Sequence, residues 1–491
     1  MTSLKLYDFQ EESVTKLSRV ANGANGDDMG LGKTIQAIEI DRRKREKTGP
    51  TFAKRGKPLT LVVAPLSVLD VWRSHFAVWQ PQLKVMVINP KDRATFVQSF
   101  LKGKHDVYVC HWESLRLMPE LRRIQWFHVI ADEAHRAKNR KAQQTVALKK
   151  IPTANKLAMS GTLADNRPDD FWSILNWLYP RTFSSYWRFY NHHVIEVMHN
   201  EGWCQACDKQ HKRTFKEVIG CAFEDELQQE IKPFYVRRLK EDVLKDLPEK
   251  YYTKIEVDLT PQQHRAYEEM RRHMLAWVGE HENEPLAAPV VIAQLTRLQQ
   301  FACAYGKMES VRLRVKVDED TYEEKYVNQL RLTEPSSKLD TVMDLILDNP
   351  NEQIVVFAQS KQVINMLGQR LRKHNVPTAI YTGDTPRANR DRAVEGFQRG
   401  DLRVFAGTIA AGGVGITLTA ASTVVFLDRA WSPSVNRQAE DRLHRIGQKN
   451  AVQIIDLVAR GTVDLGRLQK IDLKWKAIKR ILGDKVPDDD E

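Results

Sequence analysis

Residues 27–34 read DDMGLGKT, and the reading of this stretch decides the rest of the chain. It ends in Gly-Lys-Thr, the close of a nucleotide-phosphate loop. The strict pattern G-x-x-x-x-G-K-[ST] wants glycine where this chain has Asp27. A phosphate cradle needs backbone N–H groups that converge on anionic oxygens. Gly30 and Gly32 permit that approach, because glycine adopts conformations closed to other residues. Lys33 would then reach the β- and γ-phosphates, and the Thr34 hydroxyl would hold Mg2+. The following KTIQAIEIDRR reads as a helix whose positive end faces the anion.

A second element separates a cradle from a chance match. Residues 129–135, VIADEAH, read as an apolar strand ending in Asp132-Glu133, about a hundred residues after the loop. A carboxylate at a strand's carboxyl end can hold Mg2+ (Asp132), and its neighbour can polarise an attacking water (Glu133). Alone, the acidic run could be a surface cluster. With the loop upstream, it completes a site.

Apolar runs alternate with helical patterns on both sides of this motif. LTLVVAP (59–65), KVMVI (84–88), DVYVC (106–110), FHVIADEAH (127–135) and KLAMSGT (156–162) read as buried parallel strands. The pattern returns in QIVVFA (353–358), TAIYTG (378–383), RVFAGT (403–408), TVVFLD (423–428) and VQIIDLVA (452–459). Two α/β domains are expected, and 491 residues are too many for one core. Residues 166–335 read as largely helical, residues 42–57 as a basic surface loop, and PDDDE as a frayed tail. The net charge of +12 suits a polyanionic partner, nucleic acid above all. No run of 18 apolar residues exists, so no membrane partner is expected. Five scattered cysteines argue for a reducing compartment rather than a disulfide framework.

DDMGLGKT, DEAH and SGT (160–162), with GTIAAGGVGITLTAASTVVFLDRAWSPSVNRQAEDRLHRIGQ (407–448), resemble the Swi/Snf-like branch of helicase superfamily two. That branch has Asp at the first loop position, where Asp27 stands. The resemblance implies an α/β fold of two RecA-like parallel-sheet lobes with helical insertions, and ATP with Mg2+ as cofactors. It implies a nucleotide set of Gln10, Asp28, Met29, Gly30, Leu31, Gly32, Lys33, Thr34 and Gly415. Gln10 would read adenine with its amide. Lys33, Asp132 and Glu133 would be catalytic in the first lobe, and Gln438, Arg442 and Arg445 in the second. A guanidinium can neutralise charge on the transferring phosphoryl group as the lobes close. Spaced three apart, Arg442 and Arg445 are expected on one helical face; otherwise they would pair with Glu440 and Asp441. Ser160, Gly161 and Thr162 match the segment that couples nucleotide state to lobe movement.

The same resemblance implies double-stranded or branched DNA as partner, gripped by its backbone. It points to Pro65 and Ser67, followed by Trp72, in the first lobe, and to Ser360, Lys361, Gly383, Thr408, Gly412 and Trp431 in the second. The family usually carries arginine two positions after Thr408; this chain has Ala410. Core packing is an alternative for Trp431. Arg237, Arg238 and Lys240 form a basic patch in a helical protrusion, balanced between a solvated face and a DNA contact. Cys204, Cys207, His211 and Cys221 have partial zinc-ligand spacing, but the single C-x-x-C favours a metal-free hairpin.

The expected division is 1–168, 169–250, 251–335, 336–480 and an acidic tail, 481–491. The resemblance implies a monomeric, DNA-stimulated ATPase that translocates on duplex DNA. Its alternatives are a fork-remodelling or annealing helicase, a restriction-system motor, and a DNA-binding scaffold with a dead ATPase. With no appended bromodomain-like or chromodomain-like segment, a minimal phage or bacterial protein in the cytoplasm is expected, or a nuclear one in a eukaryote.

Overall fold

In a computed structural model of the chain, the described residues are 5–47, 57–161, 168–199, 202–204, 209–211, 215–280, 288–316, 322–412 and 415–482. They form two compact units, one built on residues up to Leu247 and the other on residues from Pro248. Among these residues no helix is long and apolar enough to cross a membrane.

In the first unit, β1 (Asn22–Asn25), β2 (Thr60–Ala64), β3 (Val85–Val87), β4 (Val107–His111), β5 (Trp126–Asp132) and β6 (Thr153–Met159) alternate with helices. The segment that follows carries β7 (Val194–His199), β8 (Gly202–Cys204), β9 (Lys209–His211) and β10 (Phe215–Cys221). The chain then returns as β11 (Tyr235–Val236). The sheet runs β11-β1-β6-β5-β2-β4-β3, with every neighbouring pair parallel. Along β2, Leu61 and Val63 enter one apolar cluster while Val62 and Ala64 enter another. Both faces are therefore buried, which is why β2 is an unbroken apolar run. Helices α1 (Asp8–Leu17) and α2 (Lys33–Lys47) cover one face through Val14, Leu17, Ala37, Ile38 and Ile40.

The second unit repeats the plan. Its strands are β12 (Lys250–Val257), β13 (Tyr305–Lys316), β14 (Tyr322–Thr333), β15 (Ile354–Ala358), β16 (Thr378–Tyr381), β17 (Val404–Thr408), β18 (Thr423–Phe426) and β19 (Val452–Ala459). The sheet order is β12-β19-β18-β15-β17-β16, again all parallel. Ile354 and Val356 face one cluster, Val355 and Phe357 the other. The α/β expectation of two parallel-sheet lobes holds.

The stretch 166–335 is less helical than its sequence reads. It has long helices, Pro261–Glu280 and Ala288–Cys303, but β13 and β14 form an antiparallel hairpin of twelve pairs. β12 belongs to the second sheet, pairing along its whole length with β19. The basic run also differs from expectation, since Arg42–Lys47 continue α2. There Arg43 pairs with Glu11 at 2.7 Å and Arg45 with Asp41 at 2.6 Å, so these charges are neutralised locally.

Candidate active site

In a parallel sheet, ligand crevices form where strands end and their connections splay apart. The first unit's candidates gather there. The loop of residues 26–32 follows β1, Pro65 and Ser67 follow β2, Asp132 ends β5, and Ser160 follows β6. Pro65 is buried and Ser67 exposed.

Gly30 and Gly32 take left-handed φ values of 85° and 75°, which any Cβ would strain. A Cβ on Gly32 would also lie 2.5 Å from Gln10 Nε2. α2 starts at Lys33, so the first-turn N–H groups around Lys33 and Thr34 have no intrahelical acceptor. Lys33 Nζ donates to the carbonyls of Asp27 and Asp28, at 2.7 and 3.1 Å. Burial pulls its ammonium below the usual lysine range, against the attraction of Glu133, Asp28, Asp27 and Asp132. Among the described residues Lys33 makes no direct ion pair. A desolvated cation beside free helix N–H groups fits a phosphate. Met29 and Leu31 are buried, at 8% and 0% exposure, and anchor the loop rather than face its mouth.

Gln10 is 4% exposed. Its Nε2 donates to Leu31 O at 3.0 Å and its Oε1 accepts from Tyr7 N at 3.1 Å. One donor and one acceptor position of the amide are thus used to brace the loop. Asp27 is fully buried, accepting from Gln36 Nε2 at 3.1 Å and Ser13 Oγ at 3.3 Å, with Arg238 Nη1 3.7 Å away. The residue that breaks the generic pattern is therefore a latch tying the loop to α1, α2 and Arg238.

Asp132 Oδ2 accepts from Trp72 Nε1 at 2.9 Å, and Oδ1 from the Glu133 backbone at 3.0 Å. Trp112 Nε1 donates to the Asp132 carbonyl at 3.0 Å. Burial and the neighbouring Glu133 push the Asp132 carboxyl up to about 6. Two crowded carboxylates in a desolvated site fit a divalent cation, which would relieve both penalties. Glu133 sits at φ 51°, a strained left-handed conformation for a non-glycine residue. Its Oε2 lies 3.4 Å from Ser160 Oγ and 3.3 Å from His135 Nδ1, and these two meet at 2.9 Å. Ser160, singled out for coupling, thus touches the carboxylate expected to polarise water. Thr162 lies outside the described residues.

Two members of the basic patch, Arg237 and Arg238, contact the loop, and the third is buried. Arg237 donates to backbone carbonyls, Arg238 pairs with Glu12 at 2.9 Å, and Lys240 is 4% exposed. Asp27, Trp72, Trp112, His135, Arg237 and Arg238 are site residues whose roles the sequence did not disclose. One signal was present: the indole nitrogen of a buried tryptophan needs an acceptor.

In the second unit the candidates also follow strand ends. Ser360 and Lys361 come after β15, Gly383 after β16, Thr408 closes β17, and Trp431 comes after β18. Ser360 and Thr408 are each 8% exposed. Lys361 pairs with Asp384, and Gly383 is open to solvent. Gly412 is packed against Phe357, whose ring a Cβ would meet at 2.3 Å, so its glycine answers to core packing. Ala410 is exposed at the position where arginine was expected. Trp431 is half-buried, with the Arg467 guanidinium 4.1 Å over its ring.

Arg442 and Arg445 do not lie on a helical face, because the helix Pro433–Glu440 ends before them. They converge nonetheless. Arg442 Nη1 donates to Ile416 O at 3.3 Å, and Arg445 Nη1 to the same oxygen at 3.1 Å and to Thr417 Oγ1 at 3.0 Å. Gly415, exposed with φ 77°, precedes this shared acceptor. Arg442 Nε donates to the Gln438 carbonyl at 3.0 Å. Burial lowers the Arg445 guanidinium below its ordinary range. Glu440 and Asp441 have other partners: Arg429 at 2.5 Å from Glu440, and Lys250 at 2.9 Å from Asp441.

Zinc finds no support. Among the described residues no group of three or more His, Cys, Asp or Glu side chains could hold a metal. Cys207 lies outside them, and Cys204 and His211 are described only as strand residues of β8 and β9. Cys221 pairs with Val194, while the ladder's far end is Phe215 with His199. Strand rise puts that end about 17 Å from Cys221. Cys221 is instead part of the first unit's apolar core, where burial pushes its thiol up to about 12.

Residues 10–306 match the SNF2-related domain model, and residues 337–447 the helicase conserved C-terminal domain. YwqA of Bacillus subtilis, whose name describes an ATP-dependent helicase/translocase, is 29% identical over 484 residues, covering 94% of this chain and 46% of that protein. Transcription regulatory protein SNF2 of Saccharomyces cerevisiae is 27% identical over 469 residues, covering 93% of this chain and 26% of that one. The chain spans less than half the length of these relatives. The solved SWI2/SNF2 ATPase core of Sulfolobus solfataricus in complex with dsDNA is 23% identical, with 98% of each chain covered and a TM-score of 0.42. With three fifths of its length inside the SNF2-related domain model and the helicase C-terminal domain following, the chain belongs to the SNF2-related family.

Proposed function

We propose that the chain is a DNA-stimulated ATP hydrolase that moves along double-stranded DNA. The observation that carries this reading is that the loop bearing Lys33 follows β1 while Asp132 closes β5 with Glu133 next to it, both strands running parallel on either side of β6, so the two come to the same end of the first sheet. ATP would supply the phosphoryl group, and a Mg2+ ion bound at the site would supply positive charge for its phosphates. The protein's own groups do the rest. Backbone N–H groups around Gly30 to Thr34 cradle phosphate, and Lys33 leaves its carbonyl partners to meet the anion. Thr34 and Asp132 would hold that cation. Glu133, fixed by Ser160 and His135, orients a water and takes its proton. The free half of the Gln10 amide is available to adenine. Arg442 and Arg445 offer guanidinium N–H groups of the kind that neutralise a transferring phosphoryl group. A duplex would be tracked by phosphate contacts, with Ser67, Ser360, Lys361 and Thr408 among the candidates at the strand ends.

Lys33→Ala and Glu133→Gln test the reading. Each is expected to lower ATP hydrolysis at least about a hundredfold while DNA retention in a gel-shift assay persists. Hydrolysis unchanged in both would refute the site. ATPase rates on duplex, forked and single-stranded DNA then separate a duplex motor from a fork-remodelling one. Displacement of a third strand from a triplex reads movement itself.

A further inference from the structure

The phosphate loop is framed by a segment more than two hundred residues downstream. The β1–β11 ladder continues past both strands: Gly26 N donates to Val236 O at 2.7 Å and Asp28 N to Arg238 O at 2.9 Å. Extended backbone sends successive side chains to opposite faces. Arg238 accordingly goes to Glu12, Ser13 and Asp27. Arg237 goes the other way, and its Nη1 donates to Gly26 O and to Gly161 O, each at 2.7 Å. The joined segments already touch, since a Cβ on Gly161 would meet Met29 Cγ at 2.9 Å. One guanidinium nitrogen thus links the loop that bears Lys33 to the segment that bears Ser160. A planar guanidinium can hold two carbonyls in fixed directions, which a lysine ammonium on a flexible stem does less well.

We propose that Arg237 is a positioning residue for nucleotide binding, holding the phosphate loop preformed against Gly161. This rests on the reading of the loop as an ATP site. Arg237 acts through the loop, so its loss affects affinity more than turnover, because a cradle that must first order binds more weakly.

Arg237→Gln and Arg237→Lys are compared with the unaltered chain by fluorescent ATP-analogue titration and by steady-state hydrolysis, with melting temperatures measured alongside. Arg237→Gln is expected to raise Kd for the analogue and KM for ATP about tenfold, with kcat at saturating ATP within about threefold. Arg237→Lys falls between it and the unaltered chain. An unchanged KM in a variant that melts like the parent overturns the proposal, as does loss of kcat with KM unmoved. If Arg237→Gln does not fold, the KM of Arg237→Lys decides in the same way. Lys33→Ala keeps the two readings apart. Hydrolysis surviving in Lys33→Ala refutes the ATP site itself. Hydrolysis lost there, with KM unmoved in Arg237→Gln, refutes only the positioning role.

Discussion

Trp72, a residue with no exposed surface, donates its indole N–H to Oδ2 of Asp132 at 2.9 Å. The acidic strand end is thereby aimed by a helix, Leu69–Trp79, that follows a different strand. Trp72→Phe keeps a ring in the pocket and removes the donor. Hydrogen bonds to charged groups contribute about 1.5–3 kcal/mol. The Mg2+ concentration giving half-maximal ATP hydrolysis should therefore rise about tenfold. A Mg2+ titration that superimposes on the parent's would show that Trp72 only fills space.

Asp27→Gly restores the generic loop pattern and should nonetheless weaken the protein. It removes the carboxylate on which Gln36 Nε2, Ser13 Oγ and the Arg238 guanidinium converge, leaving Gln36 Nε2 to donate only to Leu31 O and Ser13 Oγ only to Phe9 O, at a cost of about 1 kcal/mol. Burial raises the Asp27 carboxyl above the usual range, against Gln36 and Arg238. Asp27→Asn keeps an acceptor oxygen without that buried charge and should lose less. Urea unfolding of both variants ranks them, and equal stability of the parent and Asp27→Gly would contradict the latch.

His128 gives stability a pH dependence. It is fully buried, its Nδ1 is 2.9 Å from Asp41 Oδ1, and burial holds its imidazole down to about 4. Between the ordinary value of 6.5 and about 4 the unfolded chain takes up a proton that the folded chain refuses. This contribution is full above 6.5 and is lost as pH falls through that window, on the order of 3 kcal/mol in total. Asp41 acts lower. Burial alone would raise it, but Arg45 and His128 hold it well below the carboxylate range, so its share is lost only in stronger acid. Urea midpoints at pH 7, 5.5 and 4.5 should fall steadily for the parent. His128→Gln should be less stable at pH 7 and flatter across the series.

Arg429 holds the second unit's charge cluster. It reaches Asp456 at 2.5 and 3.0 Å and Glu440 at 2.5 Å, and stacks 3.7 Å from the Phe426 ring. Arg429→Ala strands Asp456, leaves Glu440 to Tyr252 and Lys250, and should lower stability by about 3 kcal/mol. Arg429→Lys should recover little of it, because a point charge cannot reproduce the fork. A denaturation midpoint shifted by less than half a molar unit of urea would contradict this weighting.

What could be read from residues and what could not divides along burial. β2, β5, β15 and β17 are buried on both faces, so their apolar runs identify them directly. β1 is Asn-Gly-Ala-Asn, a composition suited to turns, and becomes a strand because β6 and β11 offer it backbone partners on both sides. β12 lies at a sheet edge with most of its side chains exposed, so its apolar signal is weak. The β13–β14 hairpin carries only a period-two alternation inside a stretch rich in helix formers.

The sequence by itself determined the chemistry: a glycine-permitted loop ending in Lys33 and Thr34, an acidic pair at a strand end, arginines far downstream, and two sheets to carry them. The loop, the acidic pair and the strands follow from local composition and period, and the arginines from the family resemblance. Tertiary structure alone decided which charge meets which partner. Asp27 was free to be a phosphate-loop oddity until Gln36, Ser13 and Arg238 closed on it. Arg237 read as part of a surface patch until the ladder beside β1 turned it toward Gly26 and Gly161. A hydrogen bond between residues 211 positions apart depends on packing and register, which no local pattern encodes.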